Sequence, residues 1–111
     1  MNTDAKHGPC VVFCTCPDQA VARHIATSLL EQSLAACVNI VANVESVYRW
    51  QGEMQCDSEI LILIKSRFEL FETLEQQLQS LHPYELPEII AVPIQTGSKQ
   101  YLEWIEHSTR E

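Results

Sequence analysis

The chain is short of positive charge. Seven Lys and Arg stand against fifteen Asp and Glu in 111 residues, a formal net charge of −8. A sequence-independent nucleic-acid binder needs a basic surface that displaces counterions, so the balance argues against that class, and against docking on anionic lipid. No apolar run approaches the ~20 residues that span a bilayer. Met1 to Pro9 carry no apolar signal core, so no secretion signal is expected and the expected location is cytoplasmic. Internal repeats and low-complexity segments are lacking as well. What is present, 46% apolar and 20% charged residues, is ordinary globular composition, and the length suits one domain with a real core. The reading is a loose tail over 1–8 and a single domain over 9–111.

There are five cysteines, Cys10, Cys14, Cys16, Cys37 and Cys56. The number is odd and several sit in strand-like apolar runs, so free thiols in a reducing cytosol are the simplest account. No Cys-x-x-Cys loop follows the first strand, as a soft-metal chaperone would have, and no second Cys pair stands at zinc-finger spacing. The turn at Pro17-Asp18 has neither the Gly nor the Arg of an anion-cradling loop. No stacking aromatics stand on the Ile60–Ile64 run, which argues against an RNA-recognition module.

Cys10 to Cys16 is β-prone and apolar and predicts a strand, with Asp18 as cap of the helix after it. Val21, Ile25 and Leu29 recur at four-residue steps and give that helix its stripe, to about Gln32. Ala35 to Trp50 and Met54 to Lys65 predict a long hairpin turning at Gln51-Gly52-Glu53, with a bulge or bend around Asn43-Val44-Glu45-Ser46. Ile60-Leu61-Ile62-Leu63-Ile64 does not alternate and predicts a strand buried on both faces. Phe68, Phe71, Leu74, Leu78 and Leu81 mark a second helix, Ile89 to Ile94 a last strand, and Ser98 the cap of a final helix with Tyr101, Leu102, Trp104 and Ile105. A β-α-β-β-α-β order with an extra helix is the α+β, ferredoxin-like split-βαβ arrangement. Its main helices cover one sheet face. A second apolar face needs another cover, and a second copy of the chain supplies one, so a homo-oligomer is expected, with Tyr48 and Trp50 near the tip of a reaching arm.

The loop between the second helix and the last strand, Leu81-His82-Pro83-Tyr84-Glu85-Leu86-Pro87-Glu88, sets an imidazole, a phenol and carboxylates between two prolines. With it, three further blocks carry a resemblance: Leu34-Ala35-Ala36-Cys37-Val38-Asn39-Ile40, Ser46-Val47-Tyr48-Arg49-Trp50-Gln51-Gly52-Glu53 and Tyr101-Leu102-Glu103-Trp104-Ile105. From about Val11 to about Ile105 the chain resembles the CutA divalent-cation tolerance family.

The resemblance implies a tight homotrimer similar to the PII signalling proteins, a cytoplasmic protein linked to divalent-metal tolerance, copper above all, and no established catalytic activity. It implies copper ligation by a cysteine at the end of the first strand, here Cys14, and by a histidine pair before Pro-Tyr, of which His82 is the second and Leu81 replaces the first. Cys16, two residues on and on the same strand face, is a candidate replacement ligand, and Glu88 or Glu85 a candidate oxygen donor. The bland reading of Cys14 is a small buried hydrophobe. By analogy with PII clefts, Tyr84, Glu85, Glu88, Lys65 and Trp50 are candidates to line a site between subunits for a small molecule or protein partner. An enzyme with Cys14 or Cys16 as nucleophile and His82 as base is the weakest alternative, for no oxyanion donor set accompanies them.

Overall fold

In the computed structural model, which describes residues 7–109, Pro17 ends strand β1 (Pro9–Cys16) and Asp18 caps helix α1 (Gln19–Glu31), accepting the Val21 N–H at 2.9 Å. The chain turns through Ser33 at φ 58° into a long hairpin of β2 (Cys37–Trp50) and β3 (Glu53–Arg67). Gln51 and Gly52 both take positive φ, which lets a two-residue turn follow the twist of the strands it joins. The expected irregularity is present: the register shifts between Val41 and Val44, with Asn43 at φ 63°. A 3-10 turn (Phe68–Leu70) leads into α2 (Phe71–Leu81), followed by a short β4 (Ile90–Pro93) and α3 (Lys99–Ser108), which Ser98 caps through the Tyr101 N–H.

The strands form one sheet in the order β2-β3-β1-β4, every neighbouring pair antiparallel. β1 and β2 therefore run parallel with β3 inserted between them. The class is α+β, as the sequence predicts. Cys10, Val12, Cys14 and Cys16 on β1 and Ile60, Ile62 and Ile64 on β3 share one face with Ala22, Ile25 and Leu29 of α1 and Leu74 and Leu78 of α2, and this is the core.

Within one chain the Ile60–Ile64 run is fully covered on one face only. Ile60, Ile62 and Ile64 are buried, while Leu61 and Leu63 on the other face are only half-buried in the single chain. The second face is covered at one end. Arg67, opposite in parity to Ser66, donates from Nε to the Thr109 carbonyl and hydroxyl at 3.0 Å each, and α3 packs against β3 and β1 with Ile105 fully buried. Elsewhere this face leaves Val41, Ile90 and Val92 exposed. Residues 1–6 of the expected tail lie outside the described residues. Gly8 is tied in: its N–H donates to the Glu69 carboxylate and its carbonyl accepts the Phe68 N–H at 2.9 Å.

The alternation makes a mutational contrast. Ile62→Ala removes a fully buried side chain at the centre of β3 and is expected to lower stability by about 2–5 kcal/mol. Asp18→Ala, which only frees the Val21 N–H, should cost about 1 kcal/mol. Urea unfolding at fixed chain concentration checks both, and equal losses would contradict the assigned core.

Candidate metal centre and adjoining cavity

A strand's period of two puts Cys14 and Cys16 on the core face of β1, both without solvent exposure. His82 comes to them from the end of α2. It precedes Pro83, which disfavours helical geometry at the residue before it, and His82 is extended at φ −85°, ψ 136°. The ring folds onto β1, 7% exposed. Its Nε2–H donates to the Thr15 carbonyl at 2.7 Å, and Nδ1 accepts the Tyr84 N–H at 3.2 Å. A carbonyl only accepts, so these bonds select the Nε2–H tautomer, with the Nδ1 lone pair engaged by the Tyr84 N–H, a bond that a metal on that nitrogen would have to displace. A ring nitrogen donating to a backbone carbonyl is how a metal-ligating imidazole is commonly oriented.

One ligand atom from each of Cys14, Cys16 and His82 lies within 4.8 Å of the other two. Two donors on one ion at ~2.3 Å stand about 3.8 Å apart in tetrahedral geometry, so small side-chain shifts close the set around a metal. Among the described residues no other three His, Cys, Asp or Glu converge this way. Cys14 is held protonated, well above the ordinary thiol range, by its hydrogen bond to Cys16 and then by burial, and the same bond lowers Cys16.

Tyr84 carries the loop from this cluster to an adjoining cavity. Its ring lies 4.7 Å from that of His82, and its hydroxyl donates to the Glu59 carboxylate at 2.7 Å. Burial and then this bond push the phenol up, so it stays a donor. The cavity, about 870 Å³, is walled by Tyr48, Trp50, Asp57, Glu59 and the loop from Tyr84 to Ile90. The Tyr48 hydroxyl donates to Asp57 there, a bond that raises its pKa.

The residues proposed from sequence thus fall into two neighbouring groups. Cys14, Cys16 and His82 come together. Tyr84, Glu85, Glu88 and Trp50 line the cavity, where Glu88 stands outside the thiol–imidazole group. Lys65 belongs to neither: it donates to Asn39 on the sheet's second face. Its strand position, four residues beyond Leu61, carries it toward the other end of β3. Sequence reasoning missed Glu59 and Asp57. The one available signal was a carboxylate abutting the apolar run at Ile60.

Comparison with known proteins identifies the family. The family model described as CutA1 divalent ion tolerance protein matches residues 10–108. The chain belongs to the CutA family. It is 48% identical over 99 residues to the divalent-cation tolerance protein CutA of Thermus thermophilus, covering 89% of this chain and 96% of that one. It is 48% identical over 100 residues to the chloroplastic protein CutA of Arabidopsis thaliana, covering 90% of this chain but 55% of that one, about half its length. The fold is similar to the crystal structure of CutA1 from Oryza sativa, with a TM-score of 0.91 and 43% identity over 96% of this chain and 97% of that one.

The burial of the thiols has a chemical readout. All five cysteines are free, but only Cys56 is exposed and Cys37 half-buried. Cys56 donates to Glu45, and that bond raises its pKa, leaving less reactive thiolate near neutral pH. An aromatic disulfide reagent should label Cys56 first, faster as pH rises and faster still in Glu45→Gln. Cys14 and Cys16 should react only on unfolding, and early labelling of either would contradict the closed core.

Proposed function

We propose that this chain is a non-enzymatic metal binder acting in divalent-cation tolerance, with copper foremost as the ion and other divalent metals as further ligands. The observation that supports it best is the convergence of Cys14, Cys16 and His82 within 4.8 Å, all three buried at the end of β1. Two sulfurs and an imidazole suit copper, the sulfurs favouring Cu(I). Glu88, outside this set, is left at most a role in attracting the ion. The names of the related proteins point to divalent-cation tolerance in those proteins, and we extend that role to this one.

The working unit we propose is a PII-like homotrimer of ferredoxin-like subunits. The parallel β1–β2 pair split by β3 supports the subunit reading. The exposed Val41, Ile90 and Val92 on the second sheet face, and Val47, Tyr48, Trp50 and Met54 on the hairpin, support the assembly. We place it in the cytoplasm, where its five unpaired thiols suit a reducing medium.

Copper titration under reducing conditions tests the site. Cys14→Ala, Cys16→Ala and His82→Ala should each weaken binding by at least about tenfold, as loss of one ligand in three predicts. Binding must expel the proton held on Cys14, so affinity should fall as pH falls, and calorimetry in buffers of different ionisation enthalpy should register proton release. Unchanged affinity in all three variants removes the proposed ligand set. Analytical ultracentrifugation at micromolar concentration should give a three-chain particle, and a folded single chain would remove the assembly.

A further inference from the structure

Both ring nitrogens of His82 are already engaged, Nε2–H by the Thr15 carbonyl and Nδ1 by the Tyr84 N–H. A neutral imidazole has one N–H and one lone pair. Coordination through Nδ1 takes the lone pair from Tyr84 directly. Coordination through Nε2 gives up the Thr15 bond and places the ring proton on Nδ1, where it faces the Tyr84 N–H, donor against donor. The Tyr84 N–H therefore loses its acceptor whichever nitrogen ligates.

That bond sits at the root of the proline-bounded loop. The loop has two fixed ends. The His82 N–H donates to the Leu78 carbonyl at 2.9 Å, and Ile90 pairs with Phe13 of β1. Among the described residues, positions 83–89 make two hydrogen bonds within the chain, and both belong to Tyr84: its N–H to His82 at 3.2 Å and its hydroxyl to Glu59 at 2.7 Å. Pro83 and Pro87 have no N–H to give. Ile89 packs against the core at the far end. Losing the bond to His82 thus removes one of the loop's two polar ties. Both ties lie inside one chain, so a second copy packed beside the loop leaves the conflict at Nδ1 in place.

We propose that filling the thiol–imidazole site switches this loop: His82 lets go of the Tyr84 N–H, and the segment from Pro83 to Ile89 passes from a closed form tied at Tyr84 to a released one. The switch rests on the metal reading of Cys14, Cys16 and His82, and it makes loop closure and ion binding competitors. The Tyr84 hydroxyl on Glu59 belongs to the closed form and so holds the affinity down. By linkage, whatever weakens the closed form tightens the ion by the same factor.

The test is amide hydrogen exchange, read by NMR on the full chain under reducing conditions, with and without Cu(I). The Tyr84 N–H should be protected without the ion, and one equivalent of Cu(I) per chain should speed its exchange by at least about tenfold. The Ile62 N–H, at the centre of β3, should not change. Cys14→Ala, which removes one sulfur, should leave Tyr84 protected at the same Cu(I) level. Tyr84→Phe keeps the N–H and removes only the hold on Glu59, so it should bind Cu(I) at least about threefold more tightly than the wild type. Copper-loaded protein with Tyr84 still protected, or Tyr84→Phe binding no more tightly, overturns the switch and leaves the ligand set standing. So does exchange that speeds equally in Cys14→Ala, for then the ion acts from elsewhere. If His82→Ala keeps wild-type affinity while the two cysteine variants lose it, the thiols hold the ion alone and the switch is overturned. No Cu(I) binding, or affinity unchanged in all three ligand variants, overturns the metal reading and the switch with it.

Discussion

Strands β1 and β3 meet residue for residue, from Pro9 opposite Arg67 to Cys16 opposite Ile60, and both candidate sites hang on that register. Alternation is strict in a strand, so a slip of one residue would exchange its two faces. Cys14 and Cys16 would move to the open face and Thr15 into the core, and the Thr15 carbonyl that fixes the His82 ring would point elsewhere. The register is held from several directions. On one face the isoleucines of β3 bury against both main helices, and the buried Ser66 hydroxyl donates to the Leu34 carbonyl at 2.7 Å. On the other, Arg67 grips Thr109 and so pins α3.

Given that frame, the proline-bounded loop does little more than deliver side chains. Pro83 forces the chain out of helix at His82, and two hydrogen bonds then lock the imidazole between β1 and Tyr84. The same turn that brings the Tyr84 N–H onto Nδ1 also presents the Tyr84 phenol to Glu59. One short segment therefore joins a buried set of sulfur and nitrogen donors to an acidic, aromatic cavity.

Much of this was legible in the sequence because it rests on local chemistry. Caps at Asp18 and Ser98, the turn at Gly52 and the irregularity at Asn43 are set by residues within a few positions of one another. The pairing of Cys14 with Cys16 follows from a period of two. The approach of His82 followed from resemblance and not from spacing, since 67 residues separate it from the Thr15 carbonyl it holds. Glu59 was missed for one reason. Which wall a strand residue joins depends on the position of the loop that packs over the sheet's end, and no periodicity reports that. The non-alternating isoleucine run was read as doubly buried, yet hydrophobicity at both parities states only what a surface can cover, not what covers it in one chain.

The departure at Leu81 is best understood through packing. Leu81 closes the apolar stripe of α2 and is half-buried against the core. A histidine there would have to turn out of that stripe to reach the cluster. This chain keeps the stripe, and Cys16 faces inward on β1 beside Cys14. In the proposed site it would supply a sulfur where a second histidine would supply a nitrogen. Cys16 stands on a strand held by β3, opposite Ile60, rather than at a helix end. A site assembled in this way should be softer and stiffer than one built on two adjacent loop histidines. Within the proposed reading, such a set would hold copper foremost, its sulfurs favouring Cu(I) and its imidazole suiting Cu(II).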